Sequence, residues 1–405
     1  MSGQANPDPL HLQRAGTLQL QALPLALYVH WPWCVRKCPY CDFNSHAAPQ
    51  QGAPMRAYLH ALRADLEAAL PLVWGRTVHS VFMGGGTPSL AEPELIAEWL
   101  SYLRATLRLA PNAEITLEAN PGTFETQRFA DYVQAGVNRL SIGVQSFNDQ
   151  ALGQLGRVHN AAQAHAALQE AARVAPTFNL DLMYALPGQD LAACRQDVAE
   201  ALAHAPPHVS IYQLTLEPNT LFAARPPQLP NDDTAYAMLD AITDATQAAG
   251  LGRYEVSAYA KPGHTCWHNT NYWTFGDYLG IGAGAHSKLS FAHRVLRQVR
   301  LREPALYMQG ATRGQAVAKQ HEVSRRDLAF EYMLGALRLK DGVSLATFTE
   351  RTGLPTSAIR PALEQAQARG LLVQEDDHLR PSAKGFDFLS DLQAMFLPSE
   401  SATVE

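Results

Sequence analysis

LYVHWPWCVRKCPYCDFNS, residues 27–45, decides how the rest of the chain is read. It begins as an apolar, β-branched and aromatic run suited to a strand. It then places Cys34, Cys38 and Cys41 within eight positions, with Asp42 directly after. Three thiols in one loop raise three chemistries: a disulfide, a zinc ion or an iron–sulfur cluster. Five cysteines in 405 residues is an odd number and too few for a disulfide-stapled scaffold. The opening MSGQANPDPLHLQRAG lacks the apolar core of a secretion signal, and no run of about eighteen apolar residues occurs. A reducing cytoplasm is therefore the expected compartment, without a membrane span, and the disulfide drops out. Structural zinc usually takes four ligands in two separated pairs, yet Cys194 falls in a predicted helix and Cys266 far along the chain. A cubane cluster can use three thiolates and leave one iron open. Spacing alone leaves zinc and cluster both standing.

Outward from this loop, short apolar runs alternate with segments of helical period, the pattern of βα units. The spacing predicts strands at Leu25–Trp31, Val78–Met83, Glu114–Ala119, Arg139–Val144, Phe178–Tyr184 and Val209–Leu214. Helical segments such as AYLHALRADLEAAL and PELIAEWLSYLRATL lie between them, and AYAMLDAITDATQAAG followed by GRYEVSAYA suggests a seventh helix–strand pair. Polar or glycine-rich residues gather at the carboxyl ends of nearly all six strands: the cysteine loop, GGGTPS, Glu118, Gln145, Asp181, then Gln213 and Thr215. A barrel shares those ends on one rim, whereas a doubly wound sheet concentrates them at one switch point. The expected organisation is a tail over 1–22, an α/β partial (βα)6-type, TIM-like barrel over 23–290, a linker region over 291–324 and a small helical, winged-helix-like domain over 325–397. The net charge of −6 argues against nucleic acid as a partner. So does the last domain, where nine Lys or Arg face eleven Asp or Glu over 321–395.

C-x3-C-x2-C with Tyr40 before the third cysteine resembles the signature of the radical S-adenosylmethionine superfamily. FMGGGTPS, LEANPGT, NRLSIGVQSFN, LGRVH and FNLDLMYALPGQ, in that order, are similar to the oxygen-independent coproporphyrinogen III oxidase-like family within it. The resemblance runs from about residue 25 into the last domain. It implies a radical SAM barrel in which Cys34, Cys38 and Cys41 hold a 4Fe-4S cluster. The amine and carboxylate of S-adenosylmethionine would chelate the fourth iron. Gly85, Gly86 and Thr87 would lie beside the methionyl group, and only glycine lets a backbone approach a ligand so closely. Glu118, Gln145, Arg157 and Asp181 would hold the adenosyl part, with Thr215, Tyr28, Tyr40 and His286 also near the cofactor. Taken singly, each has a plain structural role as well: GGGTP makes a strand-to-helix turn, and Tyr28 or Tyr40 a core aromatic.

Two branches of that family separate here. The oxidase branch has a further cysteine two residues after the third, where this chain has Phe43, and a longer N-terminal segment. HNTNYW, residues 268–273, CDFNSH and YQLTLEPNT instead resemble its haem-chaperone branch. The resemblance implies haem as cargo, held near His268, Tyr272 and Trp273 with Trp267 alongside, and a haem-acceptor protein such as a membrane-bound haem enzyme. His286 and Cys266 are further candidates for the axial ligand. A histidine in a turn against aromatic neighbours is equally the plain reading of His268. No catalytic residue is assigned. The rival functions are radical decarboxylation of coproporphyrinogen III, with reductive cleavage of S-adenosylmethionine open in either branch, and a structural zinc protein.

Overall fold

The computed structural model describes residues 23–398; the tail expected over 1–22 lies outside them. Six parallel strands carry the fold: β1 Leu25–Trp31, β2 Thr77–Gly85, β3 Arg108–Ala119, β4 Arg139–Gln145, β5 Thr177–Tyr184 and β6 His208–Gln213. They lie side by side in sequence order. A doubly wound sheet reverses its order at a switch point; this one never does, so its covering helices share one face and the other face is left as an interior.

The period of two in a strand decides what each face receives. Leu25, Leu27, Val29 and Trp31 of β1 point to the helical layer, as do Leu140, Ile142 and Val144 of β4 and Leu180 and Leu182 of β5. There they join Leu62, Leu66, Ile96, Trp99 and Leu168 from helices Met55–Val73, Pro93–Thr106 and Ala161–Val174 in one buried core. The intervening residues are largely polar and face inward.

Beyond β6 the sequence-based expectation needs correcting. The presumed seventh helix–strand pair is a helix, Asp232–Ala248, followed by two short strands, β7 Gly252–Arg253 and β8 Ala258–Ala260. These run antiparallel at the edge beside β6. The chain then crosses back, and β9 Asp277–Ile281 joins the free side of β1 as a seventh parallel strand. Antiparallel strands β10 His286–Phe291, β11 Arg294–Arg300 and β12 Val317–Glu322 extend that side. The segment 291–324, expected as a linker, thus carries two strands of the main sheet and the helix Pro304–Ala311. A buried charge cluster anchors the return: Asp277 pairs with Arg76 at 2.6 Å and Lys288 at 3.0 Å, and accepts from the Ser290 hydroxyl and amide at 2.8 Å.

The last domain places helices Arg325–Ala336, Leu345–Thr352 and Arg360–Ala368 over a three-stranded sheet of Val343–Ser344, Leu372–Glu375 and His378–Pro381. The domain ends in two short helices, Ala383–Asp387 and Leu389–Ala394, broken at Phe388. Its own core, including Tyr332, Phe348, Leu363 and Leu379, also takes in Leu23, Phe275 and Val295 of the larger domain. No helix among the described residues is long and apolar enough to cross a membrane.

Candidate functional site

A cavity of about 450 Å³ opens at the carboxyl ends of the parallel strands. Cys34, Cys38, Tyr40 and Cys41 from the loop after β1 form one wall; Gly85, Gly86 and Thr87 after β2, Glu118, Gln145, Arg157, Asp181 and Thr215 form the rest. Twelve expected site residues, spread over 182 positions of sequence, thus meet around one hollow. Tyr28, His286, His268, Tyr272 and Trp273 are absent from its wall.

All five cysteines are free. Burial pushes the thiols of Cys34 and Cys41 up, opposed by hydrogen bonds from Thr87 to the first and Ser45 to the second. Arg157 spans the cavity floor. One guanidinium nitrogen lies 3.6 Å from Cys38 Sγ; the other donates to Asn120 Oδ1 at 2.6 Å and the Gly143 carbonyl at 2.8 Å. Its Nε is buried without a partner. Glu118 accepts from the Gly85 amide at 3.0 Å. Burial, then the charge of Asp181, raises its carboxyl to about 7. Asp181 is also raised by burial, against hydrogen bonds from Asn179 and Ser141.

The glycines are needed for close approach. A Cβ on Gly86 would lie 2.6 Å from the Trp33 carbonyl and 2.8 Å from that of Trp31. Gly85 combines φ +109° with a would-be Cβ 2.4 Å from the His30 ring. Gln145 holds the left-handed φ of +69° at the cavity edge, an uncommon conformation that β-sheet pairing would not select.

Sequence reasoning missed Arg139, Ser141, Asn179, Met183, Ser210, Tyr212 and Asn269, which also line the cavity. Their signal is parity: Ser141, Gly143 and Gln145, or Asn179, Asp181 and Met183, are alternate residues on the inward face of their strands.

The residues grouped for haem scatter. The helix Trp267–Trp273 starts on Glu114, whose carboxylate accepts from the Trp267 amide at 2.9 Å and the His268 amide at 3.0 Å. His268 turns into the sheet interior, with Nδ1 2.9 Å from Ser80 Oγ and its ring against Phe82 and Tyr28. Burial, then Arg139, lowers it to about 3, so its imidazole is neutral. Tyr272 lies 44% exposed against Tyr278. Trp273 stacks under Arg338 and packs with the last domain's core. Cys266 is buried, its thiol pushed up to about 12 by burial. Tyr28 donates to His30 Nδ1 at 3.0 Å, because His30 Nε2 is committed to the Asn44 carbonyl. His286 is exposed at the start of β10.

A parallel sheet in sequence order, with three free thiols on its rim loop and carboxylates and an arginine beneath, defines a radical S-adenosylmethionine protein. The family model for the radical SAM superfamily matches residues 28–216, and that for the HemN C-terminal domain matches residues 323–388. The chain belongs to the HemW haem-chaperone family. It is 46% identical to the haem chaperone HemW of Escherichia coli over 92% of this chain and 98% of that one. It is 44% identical to that of Haemophilus influenzae over 93% and 99%. It is also 35% identical to mouse mitochondrial radical S-adenosyl methionine domain-containing protein 1, over 92% of this chain and 87% of the relative. Among solved structures, coproporphyrinogen III oxidase (HemN) of Escherichia coli is similar in fold, with a TM-score of 0.79 at 23% identity over 92% of this chain and 90% of that one. Membership of the superfamily implies a 4Fe-4S cluster and S-adenosylmethionine.

Proposed function

We propose that this protein binds haem and hands it to an acceptor protein in a reducing cytoplasm, with a 4Fe-4S cluster and S-adenosylmethionine held in the 450 Å³ cavity. The observation that carries the cofactor reading is the meeting of Cys34, Cys38 and Cys41 with Glu118, Arg157 and Asp181 around that one hollow. The donor set fits. In a cubane each thiolate ligates its own iron, so the three sulfurs need not converge on one point. Among the described residues no three His, Cys, Asp or Glu side chains are grouped to hold a single ion. The buried, unpartnered Arg157 Nε is a donor still in want of an acceptor.

The chain's own groups divide the work. Cys34, Cys38 and Cys41 would hold three irons, and Arg157 would place its charge beside the cluster and the cofactor carboxylate. Gly85 and Gly86 offer backbone at close range; Glu118 and Asp181 would accept from ribose hydroxyls, while Gln145 and Thr215 would border the adenine side. Tyr40 closes the floor, packed toward Phe222. A cluster held by Cys34, Cys38 and Cys41 would supply reducing chemistry to a cofactor in this cavity. For a chaperone, this site serves as a licence that couples haem release to the state of the barrel.

The test is an anaerobic haem titration of cluster-loaded protein, run beside electron paramagnetic resonance of the reduced cluster. Saturable Soret uptake, and a cluster signal that changes when S-adenosylmethionine is added, support the reading. Decarboxylation of coproporphyrinogen III without haem uptake overturns it in favour of the oxidase.

A further inference from the structure

A second hollow, about 670 Å³, lies outside the first, shares the Cys41–Asp42–Phe43 wall with it, and is closed by His46, Pro218, Asn219 and Arg302. Its size falls within the range of about 300–1,000 Å³ that small-molecule sites occupy. The inner cavity has little room for a porphyrin once a cluster and a nucleoside-sized cofactor fill it; the outer one has.

The wall is built and held. Asn44 donates from Nδ2 to the carbonyls of Ala283 and Arg302 at 2.9 and 2.8 Å, tying the cysteine loop to the segments that flank β10 and β11. Lys37 Nζ donates to the Phe43 carbonyl at 3.3 Å. On this held loop the Phe43 ring is left 63% exposed, an apolar face with no partner to bury it. Val35, on the wall of the inner cavity, is likewise an exposed apolar side chain. Lys37 and Arg302, both on the wall, form no ion pair among the described residues. Asp42 is the wall's one carboxylate. His46 is its one imidazole, with Nε2 3.4 Å from Asn44 Oδ1 and a further hydrogen bond to the backbone of Arg302.

We infer that this outer hollow is where haem docks: Phe43 covers the macrocycle face, Lys37 and Arg302 take the two propionates, and His46 is the imidazole offered to the iron. The inference rests on the haem-chaperone reading above. The chemistry corresponds, since haem is a flat apolar disc with two anionic arms and a metal that takes neutral imidazole. The 268–273 helix, by contrast, divides its His and Trp between the sheet interior and the last domain's core. The position also bears on the branch distinction: Phe43 stands where the oxidase pattern has its additional cysteine, so a thiol is exchanged for a haem-covering ring.

Haem is titrated anaerobically into the cluster-loaded full chain, with Phe43→Asp, His46→Ala, the pair Lys37→Glu/Arg302→Glu, and Tyr272→Ala. All these positions are at least partly exposed, and retained cluster absorbance confirms folding. The proposal expects Phe43→Asp and the charge-reversed pair each to weaken binding by roughly tenfold or more. It expects His46→Ala to shift the Soret band and Tyr272→Ala to match the parent protein. A parent protein that binds haem, with Phe43→Asp and His46→Ala unchanged and Tyr272→Ala defective, overturns this site while leaving the chaperone reading intact. A parent protein that takes up no haem overturns both.

Discussion

Arg157 holds a guanidinium nitrogen 3.6 Å from the sulfur of Cys38, across 119 residues of sequence. The barrel fixes that charge in place through Asn120 and the Gly143 carbonyl, so the cysteine loop closes onto a preset cation. A hydrogen bond to a charged group contributes about 1.5–3 kcal/mol, and about 1.4 kcal/mol is tenfold in affinity. Arg157→Met should therefore weaken S-adenosylmethionine binding by roughly ten- to a hundredfold and lower iron and sulfide content after reconstitution. Equilibrium binding and iron analysis check this; unchanged values would contradict the role given to Arg157.

Gly86→Ala drives a methyl group into the Trp31 and Trp33 carbonyls, which are backbone and cannot swing aside. A loss of about 1–3 kcal/mol is expected, with poor cluster retention because the displaced backbone leads into Cys34. Gly153→Ala is the matched control: nothing lies within 4 Å of its would-be Cβ. In the helix Asp149–Gln154 that change should be neutral or stabilising by about 0.5–1 kcal/mol. Urea denaturation of the two variants makes the comparison.

Glu118 links stability to pH. Burial, then Asp181, raises its carboxyl from 4.5 to about 7 in the folded protein. The folded value lies above the unfolded one, so this contribution is full below the unfolded value and is lost as pH rises through about 7. The melting temperature of cluster-free protein should fall between about pH 5 and pH 8, and Glu118→Gln should flatten that fall. A slope unaltered by the substitution would show that Glu118 is ionised throughout.

Asp277 neutralises two cations at the root of β9. Burial alone would raise its carboxyl, but Lys288 and Arg76 outweigh it and hold it below the usual range. Burial nonetheless lowers Lys288 to about 8. Removing one partner of a buried pair costs about 3–5 kcal/mol because the other charge is stranded. Asp277→Ala should therefore lose that order of stability in chemical denaturation, and adding Lys288→Met should restore part of it.

Much of this was legible before the structure. Leu25–Trp31 matches its strand end to end, and the other five predicted strands overlap theirs, because alternate residues of these strands are apolar and feed the helical core. What escaped had weak local signals. Val317–Glu322 is an edge strand with every residue exposed, so no alternation marks it and it passes for linker. Arg139 and Ser210 lie deeper in their strands than the polar residues at the carboxyl ends that the sequence makes conspicuous. HNTNYW looks like one aromatic unit in sequence. On a seven-residue helix it splits between the sheet interior and the last domain, which only tertiary packing decides. Phe43 carried a family distinction in the sequence, but its exposure in a hollow needed the fold.

The central claim is haem delivery, and the most direct test is transfer itself. Cluster-loaded protein carrying one haem would be mixed anaerobically with an apo-haem enzyme, and the acceptor's Soret band and recovered activity followed, beside free haem and a Cys38→Ser variant. The account predicts that haem reaches the acceptor from the intact protein faster than from free haem, and that the cluster-free variant delivers it poorly. Delivery no faster than from free haem, or equal delivery by Cys38→Ser, would contradict it.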